Sequence, residues 1–308
     1  MDTHTIHTIA THAHTAKGAD STRRHALAQR AKTGDLVRIA PGYYLDTEAI
    51  TTHPAPNVAV DLARLLAIQH RHPHLIASGP TAAWLRDLPL LREHPLHVTT
   101  TSDHHPRPVT LPEIQAGLLH VPAVTVRPHR PRGGRSPAMV RCGGEIISAT
   151  LEDTIIECAL TLKQEEAFVV ACAGLHELAR YRRFYRDDSR RREENNRSRL
   201  LRIISSIGPH TPGRTSARWV ITHADAGCES AGESRLLYLL VRGGLQGLET
   251  QYPVSAANKW YFIDIALPEA RIGIEFDGRG KYGSDVDSVH RSIEAEERRQ
   301  RLLEAQGW

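Results

Sequence analysis

The stretch WYFIDIALPEARIGIEFDG, residues 260–278, reads as two β-strands around the four-residue connection Pro268-Glu269-Ala270-Arg271. Trp260 to Leu267 forms the strand in, and Arg271 to Phe276 the strand out. Setting Leu267 opposite Ile272 places Asp264 directly opposite Glu275, and a two-residue loop pairing Pro268 with Arg271 gives the same register. Side chains alternate along a strand, so Glu275 and Asp277 share one face while Ile272, Ile274 and Phe276 line the other. Asp264, Glu275 and Asp277 are therefore expected to converge. Like charges directly opposite one another destabilise a sheet, and carboxylates gathered beside apolar strands need a positive centre among them. Hard divalent cations bind oxygen ligands in this way, and Mg²⁺ takes one or two carboxylates plus a substrate phosphate. A metal-dependent phosphodiester site is the favoured reading; a solvated acidic patch is the competing one.

Upstream, Ser230-Ala231-Gly232-Glu233 opens a helix on which residues 233, 236, 237 and 240 share a face. That puts Glu233 in line with Leu236, Leu237 and Leu240. A carboxylate on an apolar stripe has two explanations here. Ser230 and Glu233 match a capping box, and the side chain is also placed to project over the adjoining sheet.

The chain start has a different character. After a Thr/His-rich segment, Ser21 to Lys32 reads as a short helix with Ala26 and Leu27 inward, Arg23, Arg24 and Arg30 outward, and Gly34 as C-cap. Leu36 to Ile39 and Tyr43 to Leu45 flank the turn Ala40-Pro41-Gly42. Helix, strand, tight turn, strand is the order of a winged helix-turn-helix. Further on, Asn57 caps an apolar-periodic helix through about Gln69. Strands are expected at Leu96–Thr100, Leu118–Val121 and Val124–Arg127, with a Pro/Arg/Gly-rich loop over Pro128–Pro137. Thr150 with Asp153 forms a capping box for a helix over Leu151–Leu162, and a second helix runs over Gln164–Ala179.

Two resemblances follow from these residues. Gly34-Asp35-Leu36-Val37-Arg38-Ile39-Ala40-Pro41-Gly42-Tyr43-Tyr44 resembles the wing of the AbiEi-type antitoxin N-terminal domain, and Leu75 to Leu85 resembles the short helix such proteins place after it. The resemblance implies DNA contact through Arg23, Arg24, Arg30 and Arg38, a first helix within residues 3–17, and a cognate toxin protein as partner. At the other end, Glu233-Ser234-Arg235-Leu236-Leu237, Tyr261-Phe262-Ile263-Asp264, Ile274 to Tyr282, and Glu296-Glu297-Arg298-Arg299 before Gly307-Trp308 are similar to the Vsr-like endonuclease domain of the PD-(D/E)XK superfamily. This second resemblance implies Asp264 and Glu275 as ligands of Mg²⁺ or Mn²⁺ and Glu233 as the helix carboxylate completing the site. The superfamily lysine, two positions after the second acidic residue, is Asp277 here, and Lys281 stands as the substitute cation. Glu296 and Arg299 are expected to face the site from the last helix. Related domains continue past the Gly-Trp pair with another strand, so an end at Trp308 reads as a shortened domain.

The whole chain is thus expected to be an α+β / α/β multidomain protein: winged helix over 1–50, α/β middle platform over 55–180, basic helical connector over 181–224, and a PD-(D/E)XK-like mixed sheet flanked by helices over 225–308. With 308 residues and 40% hydrophobic content it is long enough for two or three cores. Net charge is only +4, yet the run Arg180–Arg202 holds ten Arg against four acids, so basicity is local. Arg190, Arg191 and Arg192 in that run are candidate DNA contacts through phosphate neutralisation, aromatic residues there being few. Leu200, Leu201, Ile203, Ile204 and Ile207 supply an apolar stripe behind it. No apolar run is long enough to span a bilayer and no signal peptide is evident. Cys142, Cys158, Cys172 and Cys228 show no CxxC pairing and read as reduced core thiols of a cytoplasmic protein, and no His cluster has zinc-ligand spacing. Two functions remain: a Mg²⁺-dependent DNA endonuclease, or a non-catalytic regulator or antitoxin with a degenerate nuclease fold.

Overall fold

The Thr/His-rich start folds as a helix because two isoleucines suffice. In α1 (Thr3–Thr11), Ile6 and Ile9 lie three apart on one face and are buried, while the Asp2 side chain accepts from the His4 amide at 3.2 Å. The computed structural model describes residues 1–102, 107–276 and 297–308. It divides into two compact units, Met1–Cys158 and Ala159–Trp308. Each is a mixture of helices and small sheets.

In the first unit α1 leads to β1 (Ala13–Thr15), α2 (Ser21–Thr33), β2 (Leu36–Ala40) and β3 (Tyr43–Asp46). The three strands form an antiparallel sheet in the order β1-β3-β2, and Gly42 takes φ 75° in the expected turn. Asp20 caps α2 by accepting from the Arg23 amide at 2.7 Å, and Gly34 ends it in the left-handed region, as read from the sequence. A short α3 (Thr47–Thr51) precedes α4 (Pro56–Arg71). Asn57 does not cap α4. The N-cap is Ala55 and Pro56 opens the helix, where its missing N–H costs nothing.

Helix α4 is buried on nearly every side. Its two buried polar side chains act as fasteners. Arg64 Nη2 donates to the carbonyls of Pro112 (3.1 Å) and Pro122 (2.8 Å), and the Gln69 amide exchanges two hydrogen bonds with the backbone of Ile147 at 2.6 and 2.9 Å. Around it run β4 (Leu75–Ala77), α5 (Gly79–Leu85), β5 (Val98–Thr100), β6 (Val109–Leu111), β7 (Ile114–Ala116), β8 (Leu119–Val121), β9 (Val124–Val126), β10 (Met139–Cys142) and β11 (Ile146–Ala149). A mixed sheet orders them β10-β11-β4-β5, with β11 parallel to β4; β6 pairs β9 and β7 pairs β8. The unit boundary falls within α6 (Leu151–Thr161), whose capping box is formed as expected: Thr150 Oγ1 donates to Asp153 Oδ2 at 3.1 Å.

The second unit packs α7 (Gln164–Ala179), α8 (Arg186–Ser206), α9 (Arg214–His223) and α10 (Ala231–Arg242) with an antiparallel sheet, β12 (Glu249–Ala256), β13 (Lys259–Leu267) and β14 (Ile272–Ile274). Leu200, Ile204 and Ile207 anchor α8, four and three residues apart. The predicted register holds: Leu267 opposes Ile272 and Ile265 opposes Ile274. The apolar face assigned to β14 does not, because Ile272 is 51% exposed. All four cysteines are free thiols.

Inside the first unit a polar cluster is enclosed between β4, β5 and α6. Ser78 Oγ shares hydrogen bonds with His97 Nδ1 (2.9 Å) and Thr99 Oγ1 (2.7 Å); Thr99 Oγ1 and the Gly79 amide each donate to Glu157 at 3.2 Å. His129 stacks on His97 with ring centroids 4.1 Å apart. Burial pushes the Glu157 carboxyl up to about 7, and burial with neighbouring positive groups pushes His97 down to about 3. Both are therefore neutral when most stabilising. Glu157 contributes stability that is full below its unfolded value of 4.5 and is lost as pH rises through 7. His97 contributes stability that is full above 6.5 and is lost as pH falls toward 3. Thermal unfolding followed across pH should show Glu157→Gln removing the loss between 4.5 and 7, and His97→Gln removing that between 6.5 and 3. Unchanged profiles in both variants would contradict this account.

Candidate functional site

The sheet register builds the site, and it breaks at one pair. Strands β12 and β13 are matched at Thr250–Ile265 and again at Tyr252–Ile263, but Gln251 and Asp264 between them are not a ladder pair. Gln251 takes φ 47°, a left-handed conformation costly for a residue with a Cβ and found where the surroundings over-determine it. Its side chain is only 1% exposed; Nε2 reaches Asp264 Oδ1 at 3.4 Å, and Oε1 is buried with no hydrogen-bond partner among the described residues. Asp264 Oδ2 accepts from the Phe276 amide at 3.0 Å. A carboxylate predicted from register is thus clamped by a residue that was not predicted. The only sequence signal for Gln251 is an amide side chain within the strand run Thr250 to Val254.

Glu233 comes to this place from the start of α10. Ser230 caps the helix, its Oγ accepting from the Glu233 amide at 3.1 Å and donating to Glu233 Oε1 at 2.8 Å, while the Glu229 amide donates to Oε2 at 2.8 Å. Burial raises the Glu233 pKa against those hydrogen bonds, and the Asp264 charge raises it further. Glu233 is therefore both a capping residue and a neighbour of Asp264. Gly232 permits the approach: a Cβ there would stand 2.0 Å from the Phe276 ring. The chain after β14 is thereby laid across the helix start.

Glu275 is engaged differently. Its Oε1 accepts from Arg299 Nη2 at 2.8 Å, and the same nitrogen donates to the Phe262 carbonyl at 2.6 Å. Arg299 lies on the helical segment 297–305 and so does reach the acidic strand, as the sequence suggested. Glu275 and Arg299 line a cleft of about 320 Å³ with Ile263, Gly273, Leu303 and Trp308. Asp277, Lys281 and Glu296 lie outside the described residues. Among the described residues no three His, Cys, Asp or Glu side chains gather as a metal centre.

The basic run serves the interior more than its composition implies. Arg190 donates to Asp225 (2.7 Å), to Glu193 (2.6 Å) and to the Thr250 hydroxyl (2.7 Å) and carbonyl (3.1 Å). Burial lifts the Asp225 carboxyl, but Arg190, Thr250 and the Gly227 amide outweigh it and hold the group ionised; Glu193, buried beside that charge, is raised. Arg192 donates to the Ala179 and Arg180 carbonyls, capping the end of α7. Arg191 is exposed and pairs with Asp188. In the first unit Arg23, Arg24, Arg30 and Arg38 are all exposed, on α2 and β2. Arg30 reaches Asp46 at 3.1 Å and ties the helix to the hairpin, while Arg24 Nε returns to the Asp20 carbonyl at 3.3 Å.

In comparisons with known proteins, no family model matches the chain, nor does any curated protein or any solved structure. Among the described residues no helix is long and apolar enough to cross a membrane.

The two neighbouring arginines of α8 should respond in opposite ways to truncation. Arg190→Ala leaves Asp225 without its charged partner, while Glu193 keeps Arg197, and should lower the unfolding free energy by about 3 kcal/mol. Arg191→Ala should change it by less than about 0.5 kcal/mol. Denaturant melts of the three proteins test this, and an equal effect of both substitutions would remove the structural role given to Arg190.

Proposed function

We propose that the chain is a cytoplasmic DNA-binding protein whose second unit hydrolyses phosphodiester bonds with Mg²⁺ or Mn²⁺. The observation that carries this reading is the meeting of Asp264, buried Glu233 and Gln251, whose Oε1 has no partner among the described residues, at a strained break in the sheet. Asp264 with the Gln251 amide beside it offers oxygen donors suited to a hard cation once the amide turns Oε1 in place of Nε2 toward the carboxylate. Asp264 and Gln251 would hold it. The cation, when bound, supplies Lewis acidity toward the phosphate and toward water. Glu233, its carboxyl raised above the usual range by burial and further by the Asp264 charge, is the proton acceptor of this reading, at Oε1 or Oε2. Glu275 is a further ligand once Arg299 turns to phosphate, and the endonuclease resemblance adds Asp277 as an acidic neighbour and Lys281 as the charge-stabilising cation. In the first unit the succession of α2 and the β2–β3 hairpin supports a winged-helix reading, and exposed Arg23, Arg24 and Arg38 suit phosphate contact.

A specific observation favours a second reading. Glu275 is neutralised by Arg299, Glu233 is engaged in its own helix cap, and Asp277 replaces the superfamily lysine. On that reading the protein is a regulator of AbiEi type, binding DNA and a toxin partner without cleaving.

Two measurements on the full chain separate these functions. Nicking of supercoiled plasmid with Mg²⁺ or Mn²⁺ should fall by at least about a hundredfold in Asp264→Ala. Calorimetric Mn²⁺ affinity should be abolished in that variant and weakened about tenfold in Gln251→Ala. A wild-type chain that retains DNA yet neither cleaves it nor binds the cation establishes the regulator.

A further inference from the structure

The sequence places few aromatic residues in the basic run, but the fold adds more from a distant strand. Phe184 and Tyr185, at the start of α8, meet Trp260 and Phe262 from β13 around a cleft of about 520 Å³ that Arg183 and Arg191 also line. Phe184 is 68% exposed, and Tyr185 and Trp260 are each 61% exposed. Phe184 stands edge-on to Phe262 with centroids 4.9 Å apart. The Arg183 guanidinium lies 5.2 Å from the Phe262 ring and 5.7 Å from that of Phe184, while Arg182 lies 5.7 Å from the Tyr185 ring.

Large aromatic side chains gain most from burial, so three left open on one cleft mark a surface that something covers. The chemistry of the rim selects the occupant. Protein interfaces share the enrichment in aromatic residues and arginine but are depleted of aspartate, and Asp187 and Asp188 line this cleft. Planar rings interleaved with guanidinium groups fit stacked bases and their phosphates. Arg191 pairs with Asp188 and Arg183 reaches Glu229 at 3.4 Å, so phosphate takes the place of a carboxylate on each arginine. The bases of a duplex already stack on each other and offer no face to such a shelf.

We infer that this aromatic–arginine cleft binds single-stranded DNA, stacking unpaired bases on Trp260, Phe184 and Tyr185 with phosphates on Arg183 and Arg191. The inference rests on the DNA-directed reading above but not on hydrolysis. It also supplies geometry for that reading. Phe262 and Asp264 are two residues apart on β13, about 7 Å along a strand, so a strand held in the cleft passes beside the carboxylate.

The test is fluorescence anisotropy of the full chain in EDTA, with a labelled oligothymidylate of about 15 nucleotides and a duplex of equal length. The single strand should bind at least about tenfold more tightly, and Trp260→Ala and Phe184→Ala should each weaken it about tenfold while leaving duplex binding within about twofold. Equal affinity for duplex and single strand, or unchanged single-strand binding in both variants, overturns the inference. Because no cation is present, failure of hydrolysis leaves the result intact. Loss of the single-strand preference with Mg²⁺-dependent nicking retained sinks this inference alone.

Discussion

One guanidinium organises the second unit. Arg190 leaves α8 and is satisfied by the carboxylates of Asp225 and Glu193 and by both oxygens of Thr250, so helix, pre-α10 loop and first strand share a single charged centre. Such a centre is expensive to desolvate and is tolerated only when every partner is present and well placed. Gly227 is the local consequence: a Cβ there would lie 2.0 Å from Thr250 Oγ1. The residues that follow this loop cap α10, and the residue after Thr250 is Gln251. The positions of Glu233 and of the sheet break thus descend from the same buried ion cluster.

That arrangement explains why a strained conformation persists in a β-strand. A left-handed non-glycine residue costs on the order of 1–3 kcal/mol, and the ladder on either side of Gln251 holds it in place. Strain, a buried amide oxygen without a partner among the described residues and a raised carboxyl pKa occur together there. Coincidence of these features is more often found at functional sites than in plain scaffolding. Arg299 adds a second layer by neutralising Glu275 from the helical segment 297–305.

Much of the local structure was legible in order. The capping boxes at Thr150 and Ser230, the Gly34 C-cap and the Leu267–Ile272 register all depend on neighbours a few residues apart, and short-range chemistry of that kind is written in the chain. Helix α1 was expected within residues 3–17 from the resemblance alone, because two buried isoleucines among threonines and histidines make too weak a periodicity. Asn57 misled because a good capping residue stands one place after the proline that starts the helix. Parity along β14 gave the wrong exposure for Ile272, since among the described residues β14 is a three-residue strand at the edge of its sheet.

The sequence by itself determined where most helices and hairpins begin and end, and the register of the β13–β14 turn, because backbone sterics, capping and pleat are local. Only the tertiary structure decided what the charges do. Arginines that are alike in sequence divide into Arg190, spent on buried carboxylates, and Arg191, left at the surface, because burial depends on what packs against each face of α8. Likewise Gln251 meets Asp264, and Trp260 meets Phe184 across a common cleft, through contacts between residues far apart in the chain. Desolvation and partnership set the chemistry of a side chain, and both are properties of the folded neighbourhood.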